Sequence, residues 1–319
     1  MRAYLLRRAG ISLITLVIAS IVVFLGVRAV PGSPATALSG NANLSPAALV
    51  AVNREYGLEN PLPVQYIDWV GQLVRINLGS SPVTGMPVST EIGNAMPITL
   101  ELTILSMLVA LLLGIPTGIV AALRRGKIAD YVSNGLALFG LSIPSFWFGI
   151  MLILLLSVHF SVLPSSGFVS FSTDPGENLL HMVMPAFVLG TGVAAVLMRQ
   201  TRSGMLETLR SDYVRTARAK GLSEWAVVGK HALRNSLVTV ATVIGLQFGI
   251  LLSGVAVTEE VFGLPGIGQL TINAVFQRDY PTIQAVALLT AAIVILINLL
   301  MDLIYMVLSP KVRLAGEPG

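Results

Sequence analysis

Residues Asp212–Leu237 read DYVRTARAKGLSEWAVVGKHALRNSL, the one long charge-dense stretch in a chain that is otherwise mostly apolar. Its first half, Tyr213 to Lys220, is basic and helical in composition; Gly221 follows, and a second helical pattern begins at Ser223. Helix, glycine, helix makes a compact elbow. Arg218 and Lys220 fall in the last turn of the first helix, where cations favour the helix dipole, and Gly221 suits the left-handed residue just beyond it. Ser223 is predicted to cap the second helix, with Leu222 and Val227 spaced as a hydrophobic staple across that cap. Leu209, Tyr213, Ala217, Trp225 and Val228 read as the buried side of the elbow. Asp212, Arg215, Thr216 and Ala219 complete it, and the whole reads as a surface built to be held by another protein.

On either side lie runs long enough to cross a bilayer. Hydrophobic residues make up 54% of the 319 and charged residues 11%, where soluble domains carry about 25% charged; mean hydropathy is +0.81. A span needs about 20 mainly apolar residues. Six runs qualify: Ala9–Val27, Pro97–Leu123, Tyr131–Phe160, Leu179–Met198, Asn235–Thr258 and Tyr280–Leu308. The chain is therefore read as an all-α membrane protein of six transmembrane helices. The third run is long for one span and is expected to include an interfacial stretch. Three regions result: a first transmembrane helix (1–30), an external segment (31–96), and a five-helix core (97–319) containing a cytoplasmic loop (203–235).

The basic residues fix the expected orientation. Arg2, Arg7 and Arg8 precede the first span, Arg124, Arg125 and Lys127 follow the second, eight more lie in residues 199–234, and Lys311 and Arg313 close the chain. The alternate loops hold only Arg54, Arg75 and Arg278. Both termini are thus expected in the cytoplasm. The net charge of +4 is a topology signal and not a nucleic-acid surface. The first run exceeds the 7–15 residues of a signal-peptide core, so it is read as a retained span.

In the external segment, Ser45–Pro46 opens a helix by cap and first-turn proline, and Val64, Ile67, Val70 and Val74 recur at helical spacing near Trp69. Two readings stay open: a cap that meets a delivered ligand or its carrier, or amphipathic helices anchored at the headgroups by Tyr66 and Trp69. Gly114 with Gly118, and Gly245 with Gly249, have the spacing that lets helices approach closely. Pro116, Pro144 and Pro185 are predicted to bend their helices. Gly263, Pro265, Gly266 and Gly268 break the chain before a short helix over Leu270–Phe276.

No catalytic or metal constellation is visible. Cysteine is absent, and His159, His181 and His231 are far apart in sequence. Gly229–Lys230 lacks the phosphate-loop glycine five residues upstream, where Glu224 stands, and His231 replaces the needed hydroxyl. Glu101 and Asp302 are carboxylates within spans, hence functional candidates by default. Neither is central, Asp302 lying roughly 10 Å from the inner end at 1.5 Å per residue. Pairing with a cytoplasmic arginine is the favoured reading for both, over a proton relay.

The elbow resembles the conserved cytoplasmic loop of the permease subunits of binding-protein-dependent ABC importers. It is most similar to the oligopeptide/dipeptide/nickel permeases, the first of their two permease subunits. The family's Glu-Ala-Ala-like triplet stands four residues before a glycine; here Arg215–Thr216–Ala217 precede Gly221. Where the general pattern ends in Ile-x-Leu-Pro, this chain has His231–Ala232–Leu233–Arg234. Tyr56–Val70, Asn77–Pro82, Glu259–Leu270, Arg278–Gln284 and Asn298–Arg313 also resemble these permeases, and Asp302 matches a family position, which implies a gating or structural role. The resemblance implies a type I importer permease fold in the cytoplasmic membrane of a prokaryote. It further implies a second permease subunit, two ATP-binding subunits that hold ATP and Mg and grip the elbows, an external substrate-binding protein, and a peptide cargo, with nickel or another small solute as the alternative. A stand-alone secondary transporter or channel is the competing class.

Overall fold

The computed structural model describes residues 2–29, 47, 50, 53, 54 and 59–308. Side chains at 2–6, 231, 234, 235, 238, 239, 253, 302 and 304–308 are outside the described residues, as are the Ser45–Pro46 helix start and the basic tail. Lipid offers the backbone no hydrogen-bond partners, so a spanning chain must close its own bonds in helices. The described residues do so: α1 (Arg2–Ala29), α2 (Leu62–Val74), α3 (Val88–Leu123), α4 (Ile128–Ser142), α5 (Ser145–Leu152), α6 (Pro175–Leu209), α7 (Asp212–Ala219), α8 (Glu224–Ala226), α9 (Arg234–Gly254), α10 (Ala256–Phe262), α11 (Ile267–Gln277) and α12 (Tyr280–Leu308). Two π-helical turns, Ile153–His159 after α5 and Val227–Leu233 after α8, were not foreseen.

Among the described residues, four helices are long and apolar enough to span unaided: α1 from Arg7, α3, α6, and α12 to Met301. The other two runs are broken. The long third run bends by 101° between α4 and α5, and the fifth by 55° between α9 and α10. Pro144 explains the first break, since Ile143 before it is driven into extended backbone (ψ 128°). Pro116 and Pro185 instead lie inside α3 and α6, which continue past them. With 36 and 35 residues, α3 and α6 are each roughly 50 Å long at 1.5 Å per residue. They exceed the about 40–45 Å of a bilayer with headgroups, so residues 199–209 of α6 carry the elbow clear of the membrane core.

Two units divide the chain. One joins α1, α2, the start of α3, α11 and most of α12. In it Phe24 of α1 meets Tyr66 and Trp69 of α2 edge-on and tilted, while the Arg28 guanidinium lies 3.6 Å over Phe24 and donates to Gln65. The packed face of α2 is therefore Gln65, Tyr66 and Trp69, and the apolar positions Val64, Ile67 and Val74 point outward. Buried Asp279 accepts from Ser81 and Thr282, and Glu91 from Thr84 and Thr282.

The other unit holds residues 100–264 and is organised by α6. A Cβ at Gly114 would stand 2.7 Å from the Ala194 carbonyl oxygen, one at Gly118 2.7 Å from that of Met198, and one at Gly190 2.7 Å from that of Ser106. Helices α3 and α6 thus touch backbone to backbone. The second glycine pair behaves differently: Gly245 is crowded by Met301, but Gly249 faces open space. Around the seam, Met107 and Ala110 of α3, Val193 and Leu197 of α6, and Val240 and Leu251 of α9 form a buried cluster.

Alanine at Gly118 or Gly190 is expected to destabilise the detergent-solubilised protein by about 1–3 kcal/mol, the usual cost of overpacking. Gly249→Ala is expected to leave the melting temperature unchanged or slightly raised; equal melting temperatures for all three variants would refute the backbone contact.

Candidate functional site

The elbow forms where α6 emerges. Ser211 turns the chain in extended backbone, its hydroxyl donating back to Thr208 O at 2.6 Å. Asp212 then opens α7 with a carboxylate at the positive end of the helix, and its exposed side chain lies 3.6 Å from Arg215. Thr216 Oγ1 donates to Asp212 O. Val214 and Ala217 face inward onto Val227 and Leu209. Leu209 also joins a second cluster built on Ala122, Met205 and Ala232, which ties the elbow to α3 and α6.

The bend itself is closed by backbone. Gly221 takes φ +79°; its amide donates to Arg218 O at 2.9 Å and the Leu222 amide to Ala217 O at 3.3 Å. These two bonds, spanning three and five residues, are the Schellman closure that a left-handed residue after a helix makes. Lys220 precedes it as the last residue of the turn, its amide on Thr216 O. A Cβ at Gly221 would meet nothing within 4 Å, so the requirement for glycine is conformational and not steric.

Beyond the bend the structure departs from the sequence reading. Ser223 holds the cap position of α8, yet its hydroxyl makes no cap bond; only its carbonyl accepts, from Val227 N. Leu222 is exposed while Val227 is fully buried against α7, so no staple forms. In their place Arg218 reaches across the bend: Nε donates to Glu224 Oε1 at 2.9 Å and Nη2 to Oε2 at 3.2 Å. This two-pronged bond holds the Glu224 carboxyl below the usual carboxylate range. Ala217 is buried and Leu209 and Val228 half-buried as expected, but Tyr213 (45%) and Trp225 (88%) are exposed. Among the expected inward residues, the two aromatics decorate the outside.

One further bond anchors this region. Asp130, buried at the start of α4, accepts from Arg202 Nε (2.7 Å) and Nη2 (2.9 Å), from Gly126 N (3.0 Å) and from Asn134 Nδ2 (2.8 Å). It fastens α4 to α6 two turns before the elbow. The sequence offered only a weak signal for it, an acid in the first turn of a helix beside a basic loop. Of the two span carboxylates, Glu101 has its Oε1 buried with no hydrogen-bond partner, so the expected arginine does not reach that oxygen. The Asp302 side chain is outside the described residues. His181 lies 3.6 Å from Glu177 and His159 stacks edge-on against Phe160.

Comparison with known proteins decides the family. Residues 114–314 match the model of the binding-protein-dependent transport system inner membrane component, and residues 1–103 that of the N-terminal part of such membrane components. The chain belongs to this family. The permease is 42% identical to the dipeptide transport system permease protein of Escherichia coli (strain K12), covering 98% of this chain and 99% of that one. It is 41% identical to the di/tripeptide transport system permease protein of Pseudomonas aeruginosa (98% and 99%) and 40% to an oligopeptide transport system permease protein of Bacillus subtilis (98% and 100%). The inward-facing MetNI methionine ABC transporter shares the fold, with TM-score 0.57 at 19% identity over 68% of this chain and 96% of that one. The chain is therefore a multi-pass permease subunit of the inner membrane, with the type I importer permease fold, and the ATPase is a separate subunit.

Gly221→Val is expected to speed amide exchange at Gly221 and Leu222 in the permease by about 5–30-fold, the cost of a left-handed residue with a side chain, whereas Gly221→Asn retains most of the protection. The Arg218–Glu224 brace has its own pH signature. Glu224's folded value lies below its unfolded one, so the brace contributes fully above the unfolded value and is lost as pH falls through the folded one. Protection of the elbow that is flat at neutral pH and drops only in acid is expected, and Glu224→Gln should remove the drop.

Proposed function

We propose that this permease forms half of the translocation path of an ATP-driven peptide importer. In this reading both termini are cytoplasmic, a second permease subunit completes the path, and two ATP-binding subunits carry ATP and Mg. An external binding protein delivers the cargo to the segment over 31–96 and the outer turns. Each elbow is held by one ATPase, and closure of the ATPases moves α6 through it. The single observation that carries the reading is the closed, braced bend at Gly221 on the protruding end of α6, with Tyr213 and Trp225 exposed on its outside. Arg215, Thr216, Ala219, Lys220, Leu222 and Ser223 are exposed as well and complete the proposed contact with Asp212 and Arg218, while Ala217 supports it from the inside of the bend. Peptide cargo is supported by full-length relatives named for dipeptides, di/tripeptides and oligopeptides.

The absence of cysteine from the chain makes the test clean. Trp225→Cys is expected to react with an impermeant maleimide in inside-out vesicles and not in right-side-out ones, and to be protected when the ATPases are bound. Labelling from the periplasmic side, or no protection, would end the proposal. In the reconstituted transporter Trp225→Ala is expected to lower ATP-driven dipeptide uptake at least tenfold, the loss of one well-seated aromatic anchor, with membrane insertion unchanged.

Glu101 is proposed as a gating residue. Glu101→Gln alters a carboxyl group whose Oε1 is buried without a hydrogen-bond partner, so thermal stability is expected to hold or rise while uptake falls severalfold. A variant that is both less stable and fully active would assign Glu101 to structure alone.

A further inference from the structure

Between α3, α4, α5 and α6 lies a cavity of about 390 Å³, more than twice the roughly 150 Å³ apolar cavity that takes up benzene. Of the four hydroxyls that line it, two are engaged within their own helices, Thr117 donating to Leu113 O and Thr191 to Val188 O. No charged side chain and no histidine lines it. A peptide's ammonium and carboxylate would be buried there without partners, at a prohibitive cost. The cavity is not built for the cargo.

Its two ends differ. At one end Phe148 and Phe187, ring centroids 6.2 Å apart, close it beside the break at Ile143–Pro144. At the other end Thr117, Ser133 and Met198 line it. Arg124 stands seven residues beyond Thr117, Lys127 six before Ser133, and Arg199 directly after Met198, within about 10 Å along each helix. These residues and Arg125 are exposed. The one carboxylate in residues 124–134 is Asp130, already taken by Arg202. Leu136 (64%) and Phe139 (61%) form the outer wall, so the slot opens on the flank of this unit. Retention of positive charge on the cytoplasmic side accounts for basic residues in the turn, but not for an apolar slot that ends at them.

An apolar slot with a cationic mouth, in helices that span a membrane, is complementary to one kind of molecule. We infer that the slot holds an acyl chain of an anionic phospholipid whose headgroup is bound by Arg124, Arg125, Lys127 and Arg199. A seated chain fills the angle left by the 101° bend between α4 and α5 and supports α4 against α6. The competing occupant, a helix of the second permease subunit, would use the apolar wall but not the cations beyond its end.

Native mass spectrometry of the purified permease, titrated with phosphatidylglycerol or phosphatidylethanolamine, tests this. Gly192 lines the slot and a Cβ there meets nothing within 4 Å, so Gly192→Leu enters the slot without disturbing the helix seam. The wild type is expected to retain one phosphatidylglycerol through detergent exchange, and Gly192→Leu to lose it at least tenfold. The triple variant R124Q/R125Q/K127Q is expected to keep a lipid but lose its preference for phosphatidylglycerol by about fivefold per charge removed. Leu138→Phe, on the exposed side of α4 away from the slot, should bind as wild type. Thr191→Phe gives the same reading should Gly192→Leu fail to accumulate. Equal retention in the slot-filling variant, no preference between the lipids in the wild type, or a cross-link from Leu136→Cys to the second permease subunit would each overturn the assignment.

Discussion

Backbone contact between α3 and α6 is the constraint on which the larger unit depends. Lipid tails are as apolar as leucine, so helices in a bilayer gain little by hiding apolar side chains and associate through close packing. Gly114, Gly118 and Gly190 bring the two backbones within contact of each other's carbonyls, and that seam fixes α6 along its length. Asp130 then pins α6 to α4 through Arg202 near the membrane surface. What leaves the membrane is thus the end of a helix already fastened at several heights, and any force on the elbow is delivered to α6 as a body.

The elbow divides labour between its two sides. Val214, Ala217 and Val227 fill the inside of the bend, and the Schellman bonds around Gly221 satisfy the carbonyls that the end of α7 exposes. The Arg218–Glu224 bond is exposed, and exposed ion pairs contribute little to stability; its value lies in fixing the angle between α7 and α8 with two parallel donors. Outside, Trp225 and, in part, Tyr213 present apolar surface that a solitary loop has no reason to expose. Aromatic and arginine side chains are the ones that dominate binding energy at protein interfaces. The proposed ATPase contact therefore accounts for the outer residues, and internal closure for the inner ones.

The sequence made the coarse architecture legible because lipid imposes so few solutions. Six apolar runs, the bend at Pro144, the left-handed glycine at Gly221, the interruption at Gly263 and the short helix that follows could all be read from residue type. What escaped reading depends on partners distant in the chain. Arg218 was assigned to a helix dipole because Glu224 becomes its partner only once the bend exists. Trp225 and Val227 have comparable apolarity, and only the rotation of the π turn at Val227–Leu233 decides which one is buried. Ile76 and Arg278 adopt the same left-handed closure as Gly221 (φ 57° and 56°) without a glycine to announce it. Gly249 has the spacing of a packing motif, yet a Cβ there would meet nothing within 4 Å.

Two carboxylates of this unit, Asp130 and Glu101, show how unevenly the chain treats charge. Asp130 accepts four hydrogen bonds, two of them from a guanidinium, and has no bonding capacity to spare. Glu101, on α3, keeps one oxygen buried and unbonded. A fold able to satisfy one acid so completely had the means to satisfy or replace the other. Among the eight described side chains that keep a buried atom without a hydrogen-bond partner, Glu101 is the carboxylate, and an acid is the group most costly to leave unmet. That contrast with Asp130 is the ground on which a gating role is proposed for Glu101.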